Sequence, residues 1–355
     1  MSTPLFENIL AQPDALQSVL DAHSSEGFSS LKRSAGVLRN SRKIILTGMG
    51  ASLFACGPLR YMLSSRGVTT SVAESAELLH FLPAIFDAET SVVLVSRSGE
   101  SIEVIKLLDI LEGRGSRTVG VANVPDTTLP SRTTESILLR SPADQLVAIQ
   151  TYVATLATLL LLGAAYLGEL ESATSELQTA ITLLRAYIPE CVEASQHWKD
   201  FISWNSPLYL LGRGPSLASV EEGVLLMHET AKSPAVGMSI AQFRHGPVEA
   251  ADEDMRAVLV GTQSLTVSHD RQLAADLKQM GADVRWIGPL DNNSEIKALA
   301  SWPARVPALF QPVFEVTPLQ LLAYRTAEAR GITPGDFRWA PTITSSESGF
   351  PGLKQ

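Results

Sequence analysis

The sequence predicts an α/β protein of two tandem domains, each a doubly wound parallel sheet flanked by helices in three layers. Three observations carry that prediction. The chain has 355 residues, more than one typical core accommodates. Short apolar runs alternate with helical patterns of about a dozen residues, as in parallel strands covered on both faces. The pattern also occurs twice. Lys43-Ile-Ile-Leu-Thr-Gly-Met-Gly-Ala-Ser52 is similar to Leu208-Tyr-Leu-Leu-Gly-Arg-Gly-Pro-Ser216, and Gly212 lies 164 positions after Gly48. Val92-Val-Leu-Val-Ser-Arg-Ser-Gly99 matches Ala257-Val-Leu-Val-Gly-Thr-Gln-Ser264, and Thr118-Val-Gly-Val-Ala-Asn123 matches Asp283-Val-Arg-Trp-Ile-Gly288, each offset by 165. Three strand–turn units in one order at near-constant offset mark a duplication.

Strands are expected near 43–47, 69–73, 91–95, 118–122 and 135–139 in the first half, and near 207–211, 256–260, 283–287 and 312–315 in the second. The first domain, with N-terminal helices, takes residues 1–165; the second, with a C-terminal tail, takes 166–355. Gln145 to Gly168 holds no charged residue and includes Leu159-Leu160-Leu161-Leu162, a length that would span a bilayer. Gln145, Gln150, Thr151, Thr155 and Thr158 interrupt it and α/β patterns flank it, so it reads as a helix buried at a core or subunit interface.

Composition narrows the class. With 45% hydrophobic and 18% charged residues, the chain reads as a soluble globular protein. A net charge of −9 argues against general nucleic-acid binding, which needs a basic face. Cys56 and Cys191 have neither metal-ligand spacing nor a disulfide framework, as in a reducing cytoplasm. The N-terminus lacks a basic-then-apolar signal layout. His23, His80, His197 and His269 show no spacing that suggests a metal site. Cys56 falls in an apolar helix and reads as core.

The richest motif is Val92-Val-Leu-Val-Ser-Arg-Ser-Gly-Glu-Ser-Ile-Glu103. A buried strand runs into Ser96-Arg97-Ser98-Gly99-Glu100-Ser101, and a helix pattern follows from Ile102. Hydroxyls and backbone N–H groups therefore converge at the positive end of a helix, a setting for phosphate. Gly99 lets the backbone approach a ligand. The plain alternative is a serine-rich N-cap. Ligands in such sheets bind beyond the C-terminal strand ends, which puts Gly48-Met-Gly-Ala-Ser52 beside the serine loop. Gly261-Thr-Gln-Ser-Leu-Thr266 lacks the glycine and acid, so one phosphate site per chain is expected. The Gly48-Met-Gly50 turn lacks a third glycine, since Leu53 or Phe54 stands there, and Glu74 lies 26 residues past Gly48, so a nicotinamide cofactor is not expected.

Glu222 to Lys232 reads as a helix with Gly223, Leu226, Met227 and Thr230 on one face. Glu229 lies late in it, and His245 precedes a Gly-Pro turn in Gln242-Phe-Arg-His-Gly-Pro247. A carboxylate and an imidazole offer a base and a proton donor. Singly, Glu229 also fits a solvent-facing helix acid, and His245 a turn residue.

Gly48-x-Gly-x-Ser52, Ser96-x-Ser-Gly-Glu-Ser101, Glu222-Gly223 with His228-Glu229, Arg244-His-Gly-Pro247 and Pro318-Leu-Gln-Leu-Leu-Ala-Tyr324 together resemble the sugar isomerase (SIS) family. The nearest likeness is to the isomerase half of glucosamine-6-phosphate synthase and to free-standing sugar-phosphate isomerases and deaminases. The resemblance is ordered over nearly the whole chain. It implies two tandem SIS domains of flavodoxin-like, three-layer build. It implies that Gly50, Ala51, Ser52, Ser96, Ser98 and Ser101 bind the sugar phosphate, with Arg97 contributing its backbone N–H. Glu229 would move a proton between carbons 1 and 2 of the open-chain sugar, and His245 would open the ring. In the family that histidine comes from the neighbouring subunit, which implies a homodimer with a shared site. The tail from Phe337 to Thr344, with Ala340 and Pro341 as contacts, would close over the sugar. No cofactor, metal, nucleic acid or membrane is implied, and a cytoplasmic location is. The synthase's glutaminase half is not expected, since about forty residues precede the first strand.

Two kinds of departure bear on the reaction. The synthase has a lysine three residues ahead of the acid that Glu229 matches, where Leu226 or Leu225 stands here. Its tail lysine aligns with Pro341, and a further lysine with Gln150 or Thr151. The sequence thus points to a hexose or amino-hexose 6-phosphate isomerase, with or without amine loss. A non-catalytic sugar-phosphate sensor is the alternative, because fold does not fix function.

Overall fold

The computed structural model describes residues 3–349 apart from 26–27, 203–205, 207, 291–293, 303–304 and 340–343. The chain divides into two compact units, Ala11–Gln178 with Phe337–Gln355, and Met1–Leu10 with Thr179–Asp336.

The first unit holds β1 (Lys43–Thr47), β2 (Thr70–Val72), β3 (Thr90–Val95), β4 (Arg117–Ala122) and β5 (Glu135–Leu138). They pair in parallel in the order β2-β1-β3-β4-β5. The second unit holds β6 (Leu208–Gly212), β7 (Val236–Ser239), β8 (Arg256–Val260), β9 (Asp283–Ile287) and β10 (Lys297–Ala300). They run in parallel in the order β10-β9-β8-β6-β7. The two orders are the same topology, so the repeat in the sequence is a repeat in the fold. In each, the connections reverse direction beside the first strand, between β1 and β3 and between β6 and β8. That reversal leaves a crevice beyond the carboxyl ends of the two strands.

Local chemistry explains the elements. All six residues of β3, Thr-Ser-Val-Val-Leu-Val, are buried, as a central strand covered on both faces requires. The helix Ile102–Gly113 buries Val104, Leu107, Leu108 and Leu111, one helical stripe, against Ile45, Val92 and Leu94 of the sheet. In the second unit, Leu211, Ala257, Leu259 and Trp286 form the matching core with Leu273, Ala274 and Leu277 of the helix Val267–Gln279.

One expected strand is corrected, and two strands are found that were not expected. Residues 312–315 are not a strand but the start of the helix Gln311–Ala329. A short apolar run does not distinguish a buried strand from a buried helix, and here Pro312 sits in the first helical turn, where its fixed φ suits a helix. The last strand is Lys297–Ala300 instead. The edge strand Val236–Ser239 also lacks the apolar signature, because its first two residues are exposed and the others half-buried.

The apolar segment forms the helix Gln150–Leu167. It is long and apolar enough to cross a membrane, yet 89% of it is buried. It packs on the helices Gln12–Ser25, Ser29–Arg39 and Cys56–Ser64. Its ends are charge-matched. Asp144 accepts the backbone N–H of Ile149 (3.0 Å), Gln150 (3.0 Å) and Thr151 (2.9 Å), and the Thr151 hydroxyl at 2.6 Å. At the other end Arg39 donates through Nε to Tyr166 O at 3.0 Å and through Nη2 to Ala165 O. A carboxylate on the donors and a guanidinium on the carbonyls satisfy a helix whose ends would otherwise be orphaned.

Replacing Asp144 by Ala leaves those donors without their acceptor. The expected loss of unfolding free energy is about 2–3 kcal/mol, with Asp144→Asn retaining part of it, as read from urea unfolding.

Candidate functional site

The crevice of the first unit is built from two turns. After β1 the chain makes Gly48-Met49-Gly50 and enters the helix Ala51–Phe54. A Cβ on Gly48 would lie 2.8 Å from Val95 O, so only glycine lets this turn lie against the end of β3. Ser52 is half-buried, and its N–H donates to Met49 O at 3.2 Å. Cys56 lies one turn further on and is fully buried, with Sγ donating to Ser52 O at 3.4 Å. Burial pushes its thiol up to about 12, so it is core and not a nucleophile. The Cys191 thiol of the second unit is likewise pushed by burial to about 12.

After β3 the serine loop folds on itself. Ser96 Oγ lies 2.9 Å from Ser101 Oγ and 3.4 Å from Ser98 Oγ. It also accepts the Gly99 N–H at 3.2 Å, while Ser98 Oγ accepts the Glu100 N–H at 3.2 Å. Gly99 has φ +72, and a Cβ there would meet Thr127 Oγ1 at 2.1 Å, so the turn is closed to any side chain. Ser101 precedes the helix Ile102–Gly113 and makes no side-chain cap. Ser101 thus holds the N-cap position with its hydroxyl turned to Ser96 and not to the helix N–H groups.

The charged residues of the loop are engaged in holding it. The Glu100 carboxylate accepts the Thr128 N–H at 2.6 Å and the Thr128 hydroxyl at 2.9 Å. The Arg97 side chain donates through Nη1 to Leu146 O at 3.1 Å, which leaves hydroxyls and backbone as the groups facing the crevice end of the helix. The first helical N–H, from Ile102, donates to Thr344 O of the tail at 3.3 Å. The tail is anchored by Glu347, which pairs with His80 Nε2 at 2.8 Å and with Lys106 Nζ. Lys106 first, then His80, holds the Glu347 carboxyl below its usual value. Ala340 and Pro341 lie outside the described residues.

Glu229 and His245 belong to the second unit. Glu229 ends the helix Leu217–Glu229 and is half-buried. The helix is shorter than the expected 222–232 span at its C-terminus, and Lys232 takes φ +52. Its Nζ donates to Glu229 O and Asp336 O, while Arg330 Nη1 donates to Ala231 O at 3.0 Å and Lys232 O at 2.6 Å. Two cations thus fix the carbonyl end of the segment that carries Glu229. Gly223, Leu226, Met227 and Thr230 are buried on one face as expected, and His228 is exposed. His245 is exposed on a turn, its N–H donating to Gln242 O at 3.0 Å. The preceding helix Ile240–Phe243 is capped by Ser239 Oγ, which accepts the Gln242 N–H at 3.1 Å. Among the described residues no group of three His, Cys, Asp or Glu is placed to hold a metal.

Sequence reasoning found the serines but not the groups that hold them. Thr128, Leu146 and Glu347 lie 27 or more residues from the motif in sequence, and nothing local marks them. The carboxylate of Asp144 before an apolar helix was a readable capping signal.

Comparison with known proteins follows this geometry. The SIS domain family model matches residues 37–165, the span that holds β1 to β5 and most of the apolar helix. The glutamine–fructose-6-phosphate aminotransferase (isomerizing) of Pyrobaculum aerophilum is 28% identical over 352 residues, covering 96% of this chain and 57% of that protein. The chain thus spans somewhat over half the length of such relatives. The solved C-terminal domain of glucosamine–fructose-6-phosphate aminotransferase from Francisella tularensis superposes with a TM-score of 0.83 at 19% identity, covering 95% of this chain and 99% of that one. Glucosamine-6-phosphate deaminase from Thermotoga maritima gives 0.76 at 15% identity, covering 94% and 97%.

Two outcomes follow from the loop. Gly99→Ala is expected to lose about 1–3 kcal/mol of unfolding free energy, as read from urea unfolding. The Glu347 contact is present above the ordinary carboxyl range and is lost as pH falls through its lowered value. The protection factor of the Ile102 amide, taken relative to intrinsic exchange at each pH, should therefore fall on acidification, and already at neutral pH in Glu347→Gln.

Proposed function

We propose that this chain, whose residues 37–165 are a SIS domain, is a phosphosugar isomerase acting on a hexose or amino-hexose 6-phosphate. The observation that carries the reading is the convergence of the Ser96, Ser98 and Ser101 hydroxyls beyond β3, beside the Gly50-Ala51-Ser52 turn. Hydroxyls and backbone donors at a helix N-terminus hold a phosphate ester while allowing its release. Arg97 adds its backbone N–H there, its side chain being tied to Leu146.

Glu229 is the proton-transfer group. A carboxylate can take the proton beside a carbonyl at one carbon and return it at the next. Its segment is pinned by Lys232 and Arg330, which favours a fixed base. His245 opens the sugar ring. Its exposed place on a turn suits contribution to the site of a neighbouring subunit, so the active unit is a cytoplasmic homodimer. Leu226 and Leu225 supply no amine where the synthase has lysine. That favours a substrate bringing its own nitrogen, and hence isomerisation coupled to amine loss, as in a deaminase. The same absence is what supports the sensor alternative.

Proton NMR in deuterated buffer with glucosamine 6-phosphate, followed by an ammonia assay, separates these readings. Fructose 6-phosphate with ammonia establishes the deaminase; deuterium at carbon 1 or 2 without ammonia establishes the isomerase; binding without turnover across a panel of sugar phosphates establishes the sensor. Glu229→Gln is expected to lower turnover by roughly 10²–10⁴-fold with sugar-phosphate binding retained. Full activity in that variant removes Glu229 from the reaction.

A further inference from the structure

The second sheet has its own crevice, beyond β6 and β8, and it is not empty of charge. Ser216 stands at the repeat position of Ser52, and Thr262 and Gln263 at those of Arg97 and Ser98. Ser216 also precedes the helix Leu217–Glu229, whose first turn carries Ser219. Into this place the helix Gln311–Ala329 inserts Glu315, which is fully buried.

The hydrogen bonds define what the cradle accepts. Ser216 Oγ donates to Glu315 Oε1 at 2.8 Å, and Thr262 Oγ1 donates to the same oxygen. Ser219 Oγ donates to Oε2 at 2.7 Å. Gln263 Nε2 donates to Ser216 Oγ and to Thr262 Oγ1, each at 3.1 Å. Each hydroxyl has one proton. Ser216 Oγ and Thr262 Oγ1 also lie 2.9 Å apart, but both are in reach of Oε1, and a carboxylate oxygen, which can only accept, draws both protons. The network is complete when the occupant is an acceptor at both oxygens. The adjoining cation, Arg213, is matched by buried Asp270, Nε to Oδ1 at 2.6 Å, and Thr266 donates to the other Asp270 oxygen at 3.1 Å. Attraction for the occupant thus comes from hydroxyl dipoles and the helix end, as in the serine loop.

We propose that the crevice of the second sheet is an oxyanion cradle, built from Ser216, Ser219, Thr262 and Gln263 and occupied permanently by the chain's own Glu315 carboxylate. A carboxylate or inorganic phosphate takes its place when that side chain is removed. The parallel with a phosphate site in the first sheet rests on the function proposed above; the cradle's preference for an anion rests on its own hydrogen bonds.

Chemical rescue tests it. Glu315→Ala removes the equivalent of acetate. Relative to sodium chloride of equal ionic strength, sodium acetate is expected to raise the Tm of Glu315→Ala by more than it raises that of wild type, and sodium phosphate to do the same when both proteins carry Ser98→Ala, which removes the phosphate site proposed for the first sheet. The rescue should vanish in Glu315→Ala/Ser219→Ala. An equal shift in the proteins with and without Glu315 overturns the proposal. If Glu315→Ala does not fold, Glu315→Gln decides. Its amide N–H groups would face hydroxyl donors, so a Tm about 4–8 °C below wild type is expected, and a wild-type Tm overturns the proposal. The acetate rescue should persist in a Ser98→Ala background, so loss of sugar-phosphate binding in the first sheet and failure of the cradle are separate results.

Discussion

The parallel pairing of β1 with β3, closed by Gly48 against the Val95 carbonyl, is the constraint on which the candidate site depends. Because the connections leave β1 in one direction and β3 in the other, no helix covers the strand ends between them. The two turns that follow are forced side by side, and both open into helix N-termini. The serines need no long-range instruction to converge, since Ser96, Ser98 and Ser101 follow a central strand whose end is already fixed. What they do need is for the loop not to collapse onto its own charges. Glu100 is drawn away onto Thr128 and the Arg97 guanidinium onto Leu146 O, which leaves a neutral, hydroxyl-rich helix end.

Buried carboxylates recur in this chain as internal counterparts to backbone and hydroxyl donors. Asp144 takes three backbone N–H groups and a hydroxyl at the start of the apolar helix. Glu315 takes three hydroxyls at the second crevice. Isolated charges in such places would be destabilising by several kcal/mol, and the donors offset that penalty. For Glu315 the balance is visible. Burial raises its carboxyl above the usual value, and the bonds from Thr262, Ser219 and Ser216 act in the opposite sense.

The duplication, the serine loop and eight of the ten strands were legible because each is a contiguous pattern. Val92-Val-Leu-Val before Ser96-Arg-Ser-Gly-Glu-Ser is strand, turn and helix start in one run of sequence. The misses have physical causes. Val236–Ser239 and Lys297–Ala300 are edge strands with exposed residues, so the apolar alternation that marks a strand is absent. Residues 312–315 were ambiguous because a helix buried on all sides carries no polar face to set its period. Glu315 interrupts the apolar run Pro312-Val-Phe-Glu-Val316. Its partners Ser216 and Thr262 lie 99 and 53 residues earlier, and only the fold of the second repeat brings them within reach.

The two crevices share one architecture and differ in what fills them. Strand order, the Ser52 and Ser216 positions and the adjoining helix ends are shared, while the occupant differs. A free anion entering a cradle loses translational and rotational freedom, on the order of 4 kcal/mol or more. A carboxylate tethered to a packed helix has lost that freedom on folding, so at equal hydrogen bonding a dissolved ligand competes poorly with it. One glutamate on the helix Gln311–Ala329 thus makes the second crevice a structural joint. In the first crevice Glu100, the carboxylate that the loop itself carries, is held by Thr128 and not by the serines.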